Sequence, residues 1–182
     1  MKKIIVFAII AFAFLSARSQ GLYMPRDIKA AYKNETRSMD GKPGKNYWQN
    51  RGIYNISITA TPPNRTIRGK ETITYFNNSP DTLRNPVIKL FLNIHKPGAP
   101  RNGGVSADYL NSGVHIDAVT ADGKKVNWPN NPFAFTAQQF RLPASLPPHG
   151  SVQLTFDWHY EISLESNREG MIDSTTYFLA YF

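Results

Sequence analysis

No cysteine occurs among the 182 residues, which excludes disulfides, thiolate zinc sites and a lipid-bearing thiol. A membrane-spanning run is missing too: the longest apolar stretch, Ile4 to Leu15, is about twelve residues where a spanning helix needs roughly twenty. Runs of five or six like charges are also absent. Lys42, Lys45 and Arg51 are scattered through a Gly/Pro segment, so no nucleic-acid footprint is present and nucleic acid is not an expected partner. The histidines His95, His115, His149 and His159 stand apart from one another, without HExxH spacing.

What is present begins with export. Met1-Lys2-Lys3 supplies a positive start, Ile4 to Leu15 an apolar centre, and Ala17-Arg18-Ser19 small residues at the minus-three and minus-one positions of a cleavage site. Residues 1–19 are therefore expected to be a secretory signal peptide, leaving no integral membrane segment after cleavage. The destination is periplasmic, cell-surface or extracellular. Loss of Lys2, Lys3 and Arg18 lowers the formal charge of +8 to +5, a modest basic surface. Without disulfides, the mature chain must be held together by its core, and its length is enough for one domain.

Residues 20–50 read as a flexible connector, carrying Pro25, Gly41, Pro43 and Gly44, with a turn or two of helix at Asp27 to Lys33. From Ile53 the pattern changes to period two. Ile56, Ile58 and Ala60 alternate with polar residues, Pro62-Pro63-Asn64 turns the chain, and Thr66 to Phe76 runs back. Val87 to Ile94 reads as a third strand. Residues 96–112 hold too many breakers for a regular element. The Asp122-Gly123 pair between Val114–Thr120 and Lys125–Trp128 is a strong hairpin signal, and Phe133 to Leu142 is a further strand.

The clearest strand runs from Ser151 to Ile162. Val152, Leu154, Phe156, Trp158, Tyr160 and Ile162 share one face, and Gln153, Thr155, Asp157, His159 and Glu161 the other. Burying the six apolar side chains contributes on the order of 10 kcal/mol, and a slip of one residue would bury Asp157 and Glu161. Seven or eight short antiparallel strands predict an all-β fold, an antiparallel β-sandwich or a saddle-like pair of sheets, over residues 51–182. The closing run Thr175–Phe182 reads as a strand that wants neighbours. The chain is accordingly expected to be the amino-terminal piece of a longer one, incomplete at its carboxyl end.

The residues assemble no catalytic machinery. His159, between Asp157 and Glu161, fits a solvated charge ladder on the polar face of its strand. Ser163, Ser166 and Ser174 lack a Gly-x-Ser-x-Gly elbow, and Glu165, Glu169 and Asp173 fall in one loop where solvent exposure is the default. No catalytic residue and no metal ligand is assigned.

A likeness enters through the motifs and their order. Tyr47-Trp48-Gln49-Asn50-Arg51 leads into Tyr54-Asn55-Ile56, and Gly69 to Tyr75 is followed by Asn77-Asn78-Ser79-Pro80-Asp81-Thr82-Leu83. Later come Leu146-Pro147-Pro148 with Gly150 before Val152-Gln153-Leu154, and Arg168-Glu169-Gly170 leading to Tyr181-Phe182. Together these resemble the amino-terminal β-domain of secreted bacterial zinc metallopeptidases of the aminopeptidase N family.

The resemblance implies a non-catalytic domain that packs on a thermolysin-like catalytic domain downstream in the same polypeptide. That domain would carry HExxH, the zinc and the Gly-x-Met-Glu-Asn strand, none of which occurs in this chain. It also implies that the β-domain helps form the groove for the amino ends of peptide substrates, with Tyr177 and Tyr181 as candidates for the groove rim. A second reading is a stand-alone secreted sandwich that binds glycan or a cell surface through Trp48, Trp128 and Tyr109.

Overall fold

Alternation between inward and outward side chains builds the largest element of the fold, a five-stranded antiparallel sheet in a computed structural model that describes residues 23–129, 131, 134–165 and 168–180. The signal-peptide expectation lies outside the described residues. Two compact units divide the chain, one ending at Trp48 and the other covering Gln49–Phe182.

In the first unit, helix α1 (Arg26–Lys33) starts after Pro25, with Asp27 in its first turn and Lys33 in its last, both complementing the helix dipole. It ends at Asn34, whose backbone N–H donates to the Ala30 carbonyl. The following loop folds back through a bridge between Arg37 and Pro43, and the Thr36 hydroxyl donates to the Ala31 carbonyl. No residue of α1 is buried.

In the second unit, strands β1 (Arg51–Thr59) and β2 (Thr66–Phe76) form a hairpin around Pro62-Pro63-Asn64, whose Pro62–Pro63 bond is cis. Strand β7 (Ser151–Glu161) pairs with β2 on one side and with β4 (His115–Ala121) on the other, and β5 (Lys124–Lys125) closes the far edge. β4 and β5 turn on Asp122 and Gly123, at φ +48° and +74°. Two successive positive φ values are what a two-residue hairpin needs and what an Asp-Gly pair supplies.

On β7 the expected faces are realised: Val152, Leu154, Phe156, Trp158, Tyr160 and the adjacent Ile162 are all buried. Against this inner face pack the small sheet of β3 (Val87–Lys89) and β6 (Ala137–Gln139), a 3-10 turn at Phe91–His95, and the loops that bring Phe140, Leu142 and Leu146 into the core. A third pair, β8 (Gly170–Met171) and β9 (Tyr177–Phe178), completes the all-β architecture.

Three predicted strands are shorter than expected, each for a local reason. Past Lys89 the chain buries Leu92, Asn93 and His95 while exposing Ile94, a spacing that an alternating strand cannot satisfy but a tight helical turn can. Around β6 the pairing continues as isolated bonds, Phe140 N–H to the Pro86 carbonyl and Leu142 N–H to the Arg84 carbonyl. Pro86 and Pro143 lack N–H groups, so a regular ladder cannot extend there. After β5, Val126 still donates to the Val119 carbonyl, and Trp128 then turns onto Phe140 and Phe156.

Candidate functional site

Of the two tyrosines proposed for a groove rim, Tyr177 lies on β9, half-buried against the core, and its hydroxyl donates to the Asn64 carbonyl at 3.1 Å. The bond ties the β8–β9 hairpin to the turn between β1 and β2. Tyr181 lies outside the described residues.

The polar face of the large sheet carries a ladder of charge. Lys70 faces Asp157 at 3.8 Å, and His159 Nδ1 lies 2.8 Å from Asp117 Oδ2. Asp117 is the extra residue of a bulge in β4, where the register shifts between Ile116 and Ala118. A bulge re-aims the side chain it carries, so the carboxylate that meets His159 comes from the neighbouring strand and not from Asp157 or Glu161. The His115 ring stacks on His159 at 4.9 Å with 10° between planes, and its Nε2 lies 2.8 Å from the Ser112 hydroxyl. Parallel stacked rings do not converge on a shared ion. Among the described residues, no three His, Cys, Asp or Glu side chains are placed to hold a metal.

A second cluster is buried. His95, closing the 3-10 turn, places Nδ1 2.8 Å from the Tyr109 carbonyl and Nε2 3.0 Å from Glu169 Oε2, and the side chains of His95 and Glu169 are 5% and 2% exposed. The carbonyl can only accept, so Nδ1 carries a proton and donates. Burial works against the charged imidazole, but the hydrogen bonds to Glu169 and the Tyr109 carbonyl, with the charge of Glu169, outweigh both burial and nearby Arg101. The net effect raises the proton affinity of His95 above that of an ordinary imidazole.

Tyr160 reaches the same carboxylate from β7. Burial, followed by the negative charge of Glu169, pushes its proton affinity up as well. Among the described residues the Tyr160 hydroxyl and Glu169 Oε1 find no well-aligned hydrogen-bond partner, and Glu169 Oε2 is held by its ion pair with His95. Ser163, fully buried beside them, places its hydroxyl 3.0 Å from the Asp108 carbonyl and 3.2 Å from the Tyr109 carbonyl, with one proton to share between them. The cluster joins the loop of residues 96–112 to the segment that opens β8.

The sequence puts Glu169 in a loop expected to be exposed, whereas the structure buries it, at 3% exposure. His95 and Glu169 are far apart in sequence, and their pairing leaves no periodic trace. A partial signal lay in Tyr160, a polar tip on the apolar face of β7.

A third feature did leave a trace. Glu71 lies on the inward phase of β2, between Ile67 and Ile73, paired in register with Ile56 on β1 and Phe156 on β7. It lines a cavity with Ile88, Leu90, Phe91, Ile116 and Trp158. Burial alone raises the proton affinity of its carboxyl group.

No protein-family model and no curated protein matches the chain. Solved structures that resemble it include an M1 zinc metallopeptidase from Deinococcus radiodurans, at 17% identity over 66% of this chain with TM-score 0.41. A substituted form of that enzyme bound to a Tyr-Ser-Ala substrate matches at 18% over 62%, also with TM-score 0.41. A two-domain M1 zinc metallopeptidase bound to L-tryptophan matches at 16% over 70%, with TM-score 0.43. The chain spans 20–24% of the length of these structures. Identities this low transfer no residue role to it.

The three rings suggested as a glycan platform are not alike. Trp48 is 43% exposed and belongs to the first unit. Trp128 is committed to the aromatic core, and Tyr109 packs on His95 with ring centroids 4.2 Å apart.

Proposed function

We propose that this chain is the non-catalytic amino-terminal β-domain of a secreted zinc-dependent aminopeptidase. In this reading it packs on a thermolysin-like domain of the same polypeptide and helps form the groove that receives the amino ends of peptides. Zinc and the water-activating glutamate belong to that following domain. The order of the motifs from Tyr47 to Gly170 supports the reading, as does the all-β architecture.

One observation carries it. The large sheet ends at β1, whose outer edge has no neighbouring strand among the described residues, and Ile53, Tyr54 and Ile56 are exposed along it on both faces. Phe178 and Ile172 of the carboxyl-terminal hairpin region are exposed as well. An apolar edge of this kind is the surface that a neighbouring domain covers.

The test is an assay of the purified chain for bound zinc and for hydrolysis of aminoacyl anilides. The expected result is neither zinc in stoichiometric amount nor metal-dependent hydrolysis. Metal-dependent hydrolysis, or tight and selective binding of a glycan by the chain alone, would overturn the proposal.

A further inference from the structure

We propose that the cavity between β2 and the β3–3-10 layer is a binding site for a slim alkylammonium group, with Glu71 as the counter-ion and the surrounding apolar side chains as the sleeve for the aliphatic stem. The site is independent of the peptidase reading and belongs to this domain alone.

The argument starts from Glu71. It occupies an inward position on a strand where its neighbours in phase are Ile67, Gly69, Ile73 and Tyr75, and the register sets it between Ile56 and Phe156. Among the described residues its carboxyl group makes no hydrogen bond or ion pair, and the loss of water around it raises its proton affinity. A carboxylate half-withdrawn from water with no donor is a costly arrangement that a bound cation relieves.

Lining and size narrow the ligand. Ile88, Leu90, Leu92, Val114, Ile116, Phe156 and Trp158 give an apolar wall, and exposed Phe91 and Lys89 stand at the mouth. The cavity is about 50 Å³, well below the roughly 150 Å³ that holds a benzene ring. It admits the leading atoms of an unbranched amine rather than a ring, the rest of the chain remaining outside the cavity. Lys89 is the competing cation: its ammonium is not within 4.0 Å of Glu71 and extends into solvent, but its charge opposes a second ammonium nearby. Removing it should therefore tighten binding.

The experiment titrates the purified chain with n-butylammonium, 1-butanol and Nα-acetyl-lysine-N-methylamide, following side-chain NMR signals of Ile88, Ile116 and Trp158. Saturable shifts with butylammonium, weaker by about tenfold or more with butanol, are expected. Glu71→Gln should lose butylammonium binding to the same extent while keeping the spectrum of a folded chain, and Lys89→Ala should bind more tightly than the parent. Binding of butylammonium alone assigns the site to free amines, and binding of the lysine derivative too assigns it to a lysine side chain. Equal affinity for butanol and butylammonium, an unchanged Glu71→Gln, or shifts confined to other residues would overturn the proposal.

Discussion

Asn77 is fully buried, and its amide donates to the Asp81, Leu146 and Pro147 carbonyls at 2.8, 3.3 and 3.0 Å while its oxygen accepts from the Ser79 hydroxyl at 2.6 Å. One side chain thus stitches the end of β2 to the loop before β7. Asn77→Ala removes these bonds in a site closed to water; the Asp81, Leu146 and Pro147 carbonyls keep the Ser79 hydroxyl, the Leu83 N–H and the Gly150 N–H as donors, so each lost bond costs about 0.5–1.5 kcal/mol. A drop in unfolding free energy of more than about 2 kcal/mol in urea titration is expected; a change under about 0.5 kcal/mol would mean that the stitch is dispensable. Gly69 is the second residue with a single reason for its identity. It lies opposite Trp158 in register, and a Cβ there would overlap the indole ring. Gly69→Ala should cost about 1–3 kcal/mol as an overpacked substitution and shift tryptophan fluorescence. Both residues fall within the motifs Gly69 to Tyr75 and Asn77 to Leu83, but the sequence does not state what either one touches.

Elements were legible where periodicity acted alone and lost where single contacts decided. β2 and β7 follow their alternation because both pair on two sides within one sheet, so each inward position meets the core. The run beyond Val87 carries apolar residues at every other place or closer, yet it coils into a 3-10 turn that lets the Asn93 amide donate to the Phe135 carbonyl and its oxygen accept from the Val114 N–H. Such long-range polar demands have no period. The same holds for the clasp between His95 and Glu169, which attaches the β8 segment to the body of the domain.

With the proton affinity of His95 raised on folding, its contribution is full below the ordinary imidazole value of about 6.5. It is lost as pH rises past that value and through the raised one. Hydrogen exchange at Gly170 and Met171 should therefore quicken on raising the pH, beyond the intrinsic base dependence of exchange. The excess should vanish in His95→Gln. Breaking the pair outright with Glu169→Ala should cost about 3–5 kcal/mol, since it leaves a buried charge unmatched. A pH response identical in the parent and His95→Gln would place the effect elsewhere.

For the whole molecule, the exposed apolar side chains of β1 argue for contact with another body. Tyr54 and Ile56 lie on the inner phase of the sheet yet are 59% and 37% exposed, where the corresponding positions of β7 are sealed. Purified chain should therefore self-associate at high concentration, and the double substitution Tyr54→Lys, Ile56→Lys should shift sedimentation toward monomer with a stability change within about 0.5 kcal/mol. A parent chain that stays monomeric throughout would remove this argument. The large sheet and its core face were readable from alternation, and the hairpin at Asp122-Gly123 from its turn residues. The buried polar cluster and the cavity beside Glu71 depend on which strands become neighbours, which no local pattern states.

The coding sequence beyond Phe182 is the most direct test of the central claim, that this β-domain serves a catalytic partner on its own polypeptide. Sequencing of the gene in frame should find an HExxH motif, with a further glutamate ligand, within a couple of hundred codons. A stop codon at that position in the intact gene would contradict the account.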